Sequence, residues 1–295
     1  MAKHKKINSI LIILLSLMQA DFLYAADRQA KILSVFVSIQ PQAYFVERIG
    51  GNRVSVEVLV LPGKSPATYA PTPVQMSRLA NAEILFRIGV LFENRLMQKI
   101  KNNMNVKIVD TRQGICLRNM KGHHQDNMDE HDVEGKDPHT WLNPVLVKKQ
   151  AETICKGLSQ VDPLGKQEYS DNLKAFIEDL DRLDERIRTA LLPVKGQAFF
   201  VFHPSFGYFA DAYNLEQVAV EVEGKAPKGK DLAALIKKAK KRNVRIIFVQ
   251  PQFDQSAALK IASAINGAVV SLDPLAADYI SNLESMANKV FDALN

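Results

Sequence analysis

The sequence predicts an α/β protein made of two lobes in succession with one long helix between them. Three observations carry that prediction. Runs rich in β-branched and aliphatic residues alternate with helical patterns, the alternation comes in two sets, and a long amphipathic stretch separates the sets. In the first set the strand-like runs are 31–37, 54–60, 83–86 and 106–110; in the second they are 198–202, 217–220, 244–250 and 268–272, with helix-like segments 232–241 and 256–264 among them.

The chain opens with Lys3, Lys5 and Lys6 ahead of an apolar run from Ile10 to Met18, and small residues follow at Ala25 and Ala26. That is the layout of a cleavable secretory signal, predicted over 1–26, and the run is short for a membrane span. An uncleaved anchor is the bland alternative. Gln19 and Asp21 interrupt the stretch, and no Cys lies near the cleavage site to take a lipid. About 270 of the 295 residues would remain, enough for two lobes, each expected to have its own core.

The first lobe is predicted over 27–164. Within it, the stretch 121–136 reads KGHHQDNMDEHDVEGK, so polar that it buries almost nothing, and a surface loop is expected there. Asn143-Pro144 supplies a cap and a first-turn proline for the helix that follows, and Pro163 and Gly165 mark its end. The linking helix is predicted over 165–192: Tyr169, Leu173, Phe176, Leu180, Leu183, Ile187 and Leu191 recur every three or four residues. At 1.5 Å per residue it would run about 40 Å, a stiff strut. The second lobe is predicted over 193–295.

The net charge of +6 is modest, and part of it leaves with the signal segment. Lys237, Lys238, Lys240, Lys241 and Arg242 read as the solvated end of a helix whose dipole favours cations. No nucleic-acid partner is expected. Cys116 and Cys155 lie in a chain predicted to reach an oxidising compartment, where a disulfide and two free, buried thiols are equally open readings.

Once His4 leaves with the signal, five histidines remain: His123, His124 and His131 in the polar loop, His139 in Asp137-Pro138-His139-Thr140-Trp141-Leu142, and His203 at the end of a strand. A lone histidine at a strand end is usually a hydrogen-bonded core residue, and Asp273 before Pro274 is ordinary turn chemistry. Position raises all three, because open α/β sheets gather ligand groups outside the carboxyl ends of their strands. Two imidazoles and a carboxylate suit zinc, leave manganese and iron(II) open, and do not suit calcium or magnesium.

The stretch from about Val35 onward resembles the periplasmic metal-binding components of zinc and manganese ABC transporters. The resemblance rests on Ile49-Gly50-Gly51, Leu61-Pro62-Gly63, Tyr69-Ala70-Pro71-Thr72-Pro73, the segment from Asp137 to Pro144, Phe202-His203, Phe206-Gly207-Tyr208-Phe209, Val249-Gln250-Pro251-Gln252-Phe253 and Leu272-Asp273-Pro274-Leu275. It implies two α/β lobes bridged by a rigid helix with a ligand cleft between them. It further implies metal ligands at His139, His203 and Asp273, zinc as the transported ion, an inner-membrane permease as partner and a periplasmic monomer. His at 203 resembles the zinc branch, as does the acidic loop, whose His123, His124 and His131 are candidate auxiliary ligands.

Two departures stand out. The family's usual histidine after Pro62-Gly63 is replaced here by Ala67, so a fourth ligand is missing, and Pro204 stands where an acidic residue often follows the strand-end His. One loop histidine, or a water, is expected to complete the shell. A manganese- or iron(II)-binding homologue is the nearest alternative. A zinc hydrolase and a surface adhesin are the readings from other classes; no His-Glu-x-x-His motif supports the hydrolase.

Overall fold

The computed structural model describes residues 31–103, 105–120, 135–221 and 227–295. The predicted signal segment and the loop histidines His123, His124 and His131 lie outside the described residues.

The first sheet holds β1 (Leu33–Val37), β2 (Val54–Val58), β3 (Ile84–Arg87) and β4 (Lys107–Asp110), all parallel, in the order β2-β1-β3-β4. The second repeats the arrangement with β5 (Ala198–Val201), β6 (Glu216–Ala219), β7 (Ile246–Val249) and β8 (Ala268–Ser271), in the order β6-β5-β7-β8. Parallel pairing demands a crossover after every strand, and helices on both faces then bury the central strands. Hence the unbroken apolar runs Ile84-Leu85-Phe86 and Phe199-Phe200-Val201, all buried.

The helices are α1 (Gln40–Gly50), α2 (Pro73–Ala80), α3 (Phe92–Asn103), α4 (Pro144–Val161), α5 (Lys166–Leu191), α6 (Gly207–Ala212), α7 (Gly229–Lys241), α8 (Ser256–Ala264) and α9 (Tyr279–Leu294). Side-chain caps set the starts of some of them. Thr72 and Gln75 form a reciprocal capping box on α2, and the Asn143 side chain accepts from Val145 N and Leu146 N ahead of Pro144 at the first turn of α4.

The expectation of separate cores is corrected by the packing. The largest buried cluster is continuous from β1 and α1 through α4 and α5 to Phe199, Phe248 and α9. The reason lies in α5 and α9. The apolar stripe of α5, with Tyr169, Phe176, Leu180, Leu183, Ile187 and Leu191 buried, serves both sheets. Helix α9 returns from the second lobe to the first, where the Tyr279 ring meets Phe45 edge-on at 4.8 Å, and Phe45 lies 5.9 Å from Phe176. Among the described residues, only the far face of the second sheet has small clusters of its own. Ion pairs reinforce the strut: Arg48 of α1 binds Asp179 of α5, and Arg186 of α5 binds Glu284 of α9.

Both cysteines are free thiols and not a disulfide, but only Cys155 is buried while Cys116 is exposed, which corrects the reading of two buried thiols. No helix among the described residues is long and apolar enough to cross a membrane.

Candidate metal centre

The carboxyl ends of both sheets face a cavity of about 360 Å³, lined by residues of both lobes. Because each sheet reverses its strand order between its first and third strands, a crevice at this edge is where a ligand is expected.

His139 reaches the cavity from the segment before α4. Asp137 fixes it twice: Asp137 Oδ1 accepts from the His139 backbone N at 3.0 Å and lies 2.7 Å from His139 Nδ1. Since a carboxylate only accepts, the neutral ring donates from Nδ1 and leaves the Nε2 lone pair free. Burial holds the His139 imidazole below the usual histidine range, while Asp137 pulls the other way. The ring is therefore neutral at physiological pH, the form a metal needs. Asp137 is held in turn by Tyr208, whose hydroxyl donates to the Asp137 carbonyl at 3.0 Å and accepts from Arg118 N at 3.0 Å. The next turn is pinned across the lobes: Trp141 Nε1 donates to the Pro274 carbonyl at 2.7 Å, and the Tyr279 hydroxyl donates to the Trp141 carbonyl at 2.8 Å.

His203 follows β5, with its ring 5.5 Å from that of His139. Gln250, at the end of β7, clamps its backbone, accepting from His203 N at 3.2 Å and donating to the His203 carbonyl at 2.6 Å. Phe253 stacks on the ring at 4.9 Å. Glu221, just past β6, sets Oε1 at 2.7 Å from His203 Nδ1, so here too Nε2 is the free nitrogen. Both histidines thus carry a carboxylate on Nδ1, the pairing that fixes tautomer and ring orientation where an imidazole binds a metal.

The third predicted residue is differently disposed. Asp273 is not among the residues lining the cavity, although Gln252, Pro274 and Leu275 are. Its Oδ1 accepts from Gln252 Nε2 at 2.8 Å and from Leu275 N at 3.0 Å. Among the described residues no group of three or more His, Cys, Asp or Glu side chains converges for a metal. Ala67 does line the cavity and brings no donor side chain.

Glu221 and the clamp Gln250 were missed in the sequence. The rule that drew attention to His203 and Asp273, position just past a strand's carboxyl end, applies equally to Glu221 past β6. The acid missing at Pro204 is supplied by Glu221 from the neighbouring strand.

Two parallel α/β lobes tied by a long helix, closing on a cleft with two carboxylate-oriented imidazoles, define a metal-binding solute-binding protein. Residues 35–293 match the family described as zinc-uptake complex component A, periplasmic, and the chain belongs to that family. It is 28% identical to the high-affinity zinc uptake system protein ZnuA of Bacillus subtilis over 254 residues, covering 82% of this chain and 76% of the relative. It is 26% identical to the protein of the same name from Yersinia pestis over 279 residues, covering 86% and 87%. A solved crystal structure of ZnuA superposes with a TM-score of 0.83 at 41% identity, covering 90% of this chain and all of that one. The chain is therefore a zinc-binding periplasmic component of zinc import, and these relatives support zinc over manganese.

Proposed function

We propose that the protein captures zinc on His139 and His203 in the cleft and delivers it to the permease of an ABC importer, acting as a monomer without a nucleic-acid partner. One observation carries the assignment of ligands: two imidazoles, 5.5 Å apart at the cavity wall, each have Nδ1 committed to a carboxylate and Nε2 free. Asp273 is proposed as a third ligand through Oδ2, the oxygen its turn does not use. Segment 1–26 would direct export and be cleaved.

His123, His124 and His131 are proposed to gather zinc at the mouth. Their stretch leaves the cavity rim at Met120 and returns at Gly135, both of which line the cavity, so chain connectivity alone gives them a high effective concentration there.

The test is metal content and a competition titration on the purified protein. One zinc per chain is expected, with affinity lost in His139→Ala and His203→Ala and weakened in Asp273→Ala. Parent-like binding by both histidine variants would move the site elsewhere. Replacing the three loop histidines with Ala should slow zinc capture at low metal concentration; an unchanged on-rate would remove them from the pathway.

A further inference from the structure

We infer that this site takes zinc together with a small amine–carboxylate chelator, as a ternary complex, so that the transported species is a zinc chelate and not the bare ion. The inference rests on the zinc-capture reading and names what fills the remainder of the same site. Three observations carry it.

The first is the donor count. His139 and His203 supply two positions, and Asp273, with Oδ1 shared between Gln252 and Leu275, supplies at most Oδ2. Zinc takes four ligands, and five in open sites. Ala67, which also lines the cavity, ends in a methyl group and adds none. The second is space. The cavity measures about 360 Å³, whereas each water occupies about 30 Å³. An ion with one or two waters takes up a small part of that volume, and the rest of this solvent-open cleft has room for a small organic ligand, which pockets of about 300–1,000 Å³ typically hold. The lining around Ala67, Val90, Leu91, Trp141 and Phe253 is largely apolar, a surface that an organic body covers and water does not favour. The third is an unanswered acceptor. Glu221 lines the cavity, its side chain is 5% exposed, and its Oε2 is buried without a hydrogen-bond partner among the described residues. Leaving a buried acceptor unmet is costly, and a ligand N–H answers it.

A bidentate chelator with one amine and one carboxylate satisfies all three. Its amine nitrogen and one carboxylate oxygen bind zinc beside the two imidazoles, closing a four-coordinate shell, or a five-coordinate one with Asp273. The amine binds as the neutral base, its proton released to solvent, and keeps N–H bonds to donate to Glu221 Oε2. The carboxylate cancels one of the two charges of the ion, and the carbon body occupies the space before Ala67.

The experiment uses the metal-stripped protein titrated with zinc in a non-coordinating buffer, alone and with L-histidine or glycine as probe. Native mass spectrometry counts both metal and chelator on the chain. Expected are one zinc and one chelator retained together, with apparent zinc affinity raised at least tenfold by one of the probes. In Ala67→His the new imidazole should take the open position, so zinc alone binds more tightly and the chelator is neither retained nor helpful. Glu221→Gln, which puts a donor in place of an acceptor on one arm, should lower chelator retention more than zinc retention. Zinc retained without chelator, at an affinity neither probe raises, would overturn the inference while leaving zinc capture intact; that is the result if loop histidines or waters complete the shell. Failure to retain zinc under any of these conditions would overturn both.

Discussion

At the scale of single residues, the proposed site depends on the carboxylates behind His139 and His203 as much as on the two imidazoles. Removing a partner of this kind costs about 10–100-fold in metal affinity. Glu221→Ala is accordingly expected to weaken zinc binding within that range while the fold persists, since among the described residues the Glu221 side chain bonds only the ring it orients. An unchanged competition titration would deny it that part. His139 also gives a pH signature to the metal-free protein. Its folded-state pKa lies below that of the unfolded ring, about 6.5, so just below that pH the unfolded chain binds more protons. Stability is then constant above about pH 6.5 and falls as pH drops through it. Thermal melts of metal-free His139→Gln should show a shallower acid limb, by no more than about 1.4 kcal/mol per pH unit, the limit for one proton. His139 and His203 were legible as candidates because polar residue types in an unusual place carry a signal in one dimension. Glu221 was not: its meaning comes from strand order, which sets β6 beside β5 and brings residues 221 and 203 together.

At the scale of elements, the joints on either side of the cleft are built from buried polar ties. Tyr279 of α9 donates to the Trp141 carbonyl, and Asn282 Nδ2 donates to the Asp273 carbonyl at 2.8 Å, so one helix holds both turns that flank the site. Tyr279→Phe leaves a buried carbonyl unmet and should cost about 1–3 kcal/mol, with weaker zinc binding because the His139 turn loses its anchor. Chemical denaturation beside a zinc titration checks both; a stability loss with unaltered affinity would separate the turn from the site. Between α4 and α5, burial alone would raise the Asp162 pKa, but bonds from the Tyr169 hydroxyl at 2.7 Å and from Arg53 outweigh it and hold the carboxyl low. That contribution is present above the unfolded carboxylate value of about 3.9 and is lost as pH falls through the lower folded value. Asp162→Asn should therefore destabilise the protein by about 2 kcal/mol at pH 7, and the difference from the parent should shrink below about pH 4. The strands, the α4 cap and the span of α5 were all readable, since local patterning and capping are properties of short stretches. The merging of the two cores was not, because it depends on where α9 docks after the chain has turned back.

At the scale of the whole molecule, a shared core changes what capture involves. With α5 and α9 packed into both lobes, wide hinge closure would tear apart the cluster around Phe45, Phe176 and Tyr279. Zinc loading should leave the radius of gyration from small-angle scattering nearly unchanged, and large compaction would count against this. The return of α9 also sets an order of assembly. Residues emerge from a ribosome or an export channel one after another, yet the aromatic seat formed early by α1 and α5 is filled by Tyr279, near the far end of the chain. The first lobe must wait for the last helix, and the turn bearing His139 waits with it. Removal of 279–295 should accordingly abolish cooperative unfolding, a result that circular dichroism melts would reveal. If segment 1–26 directs export as proposed, the chain is threaded across the membrane before its site can form, and the compartment in which synthesis begins loses no zinc to it.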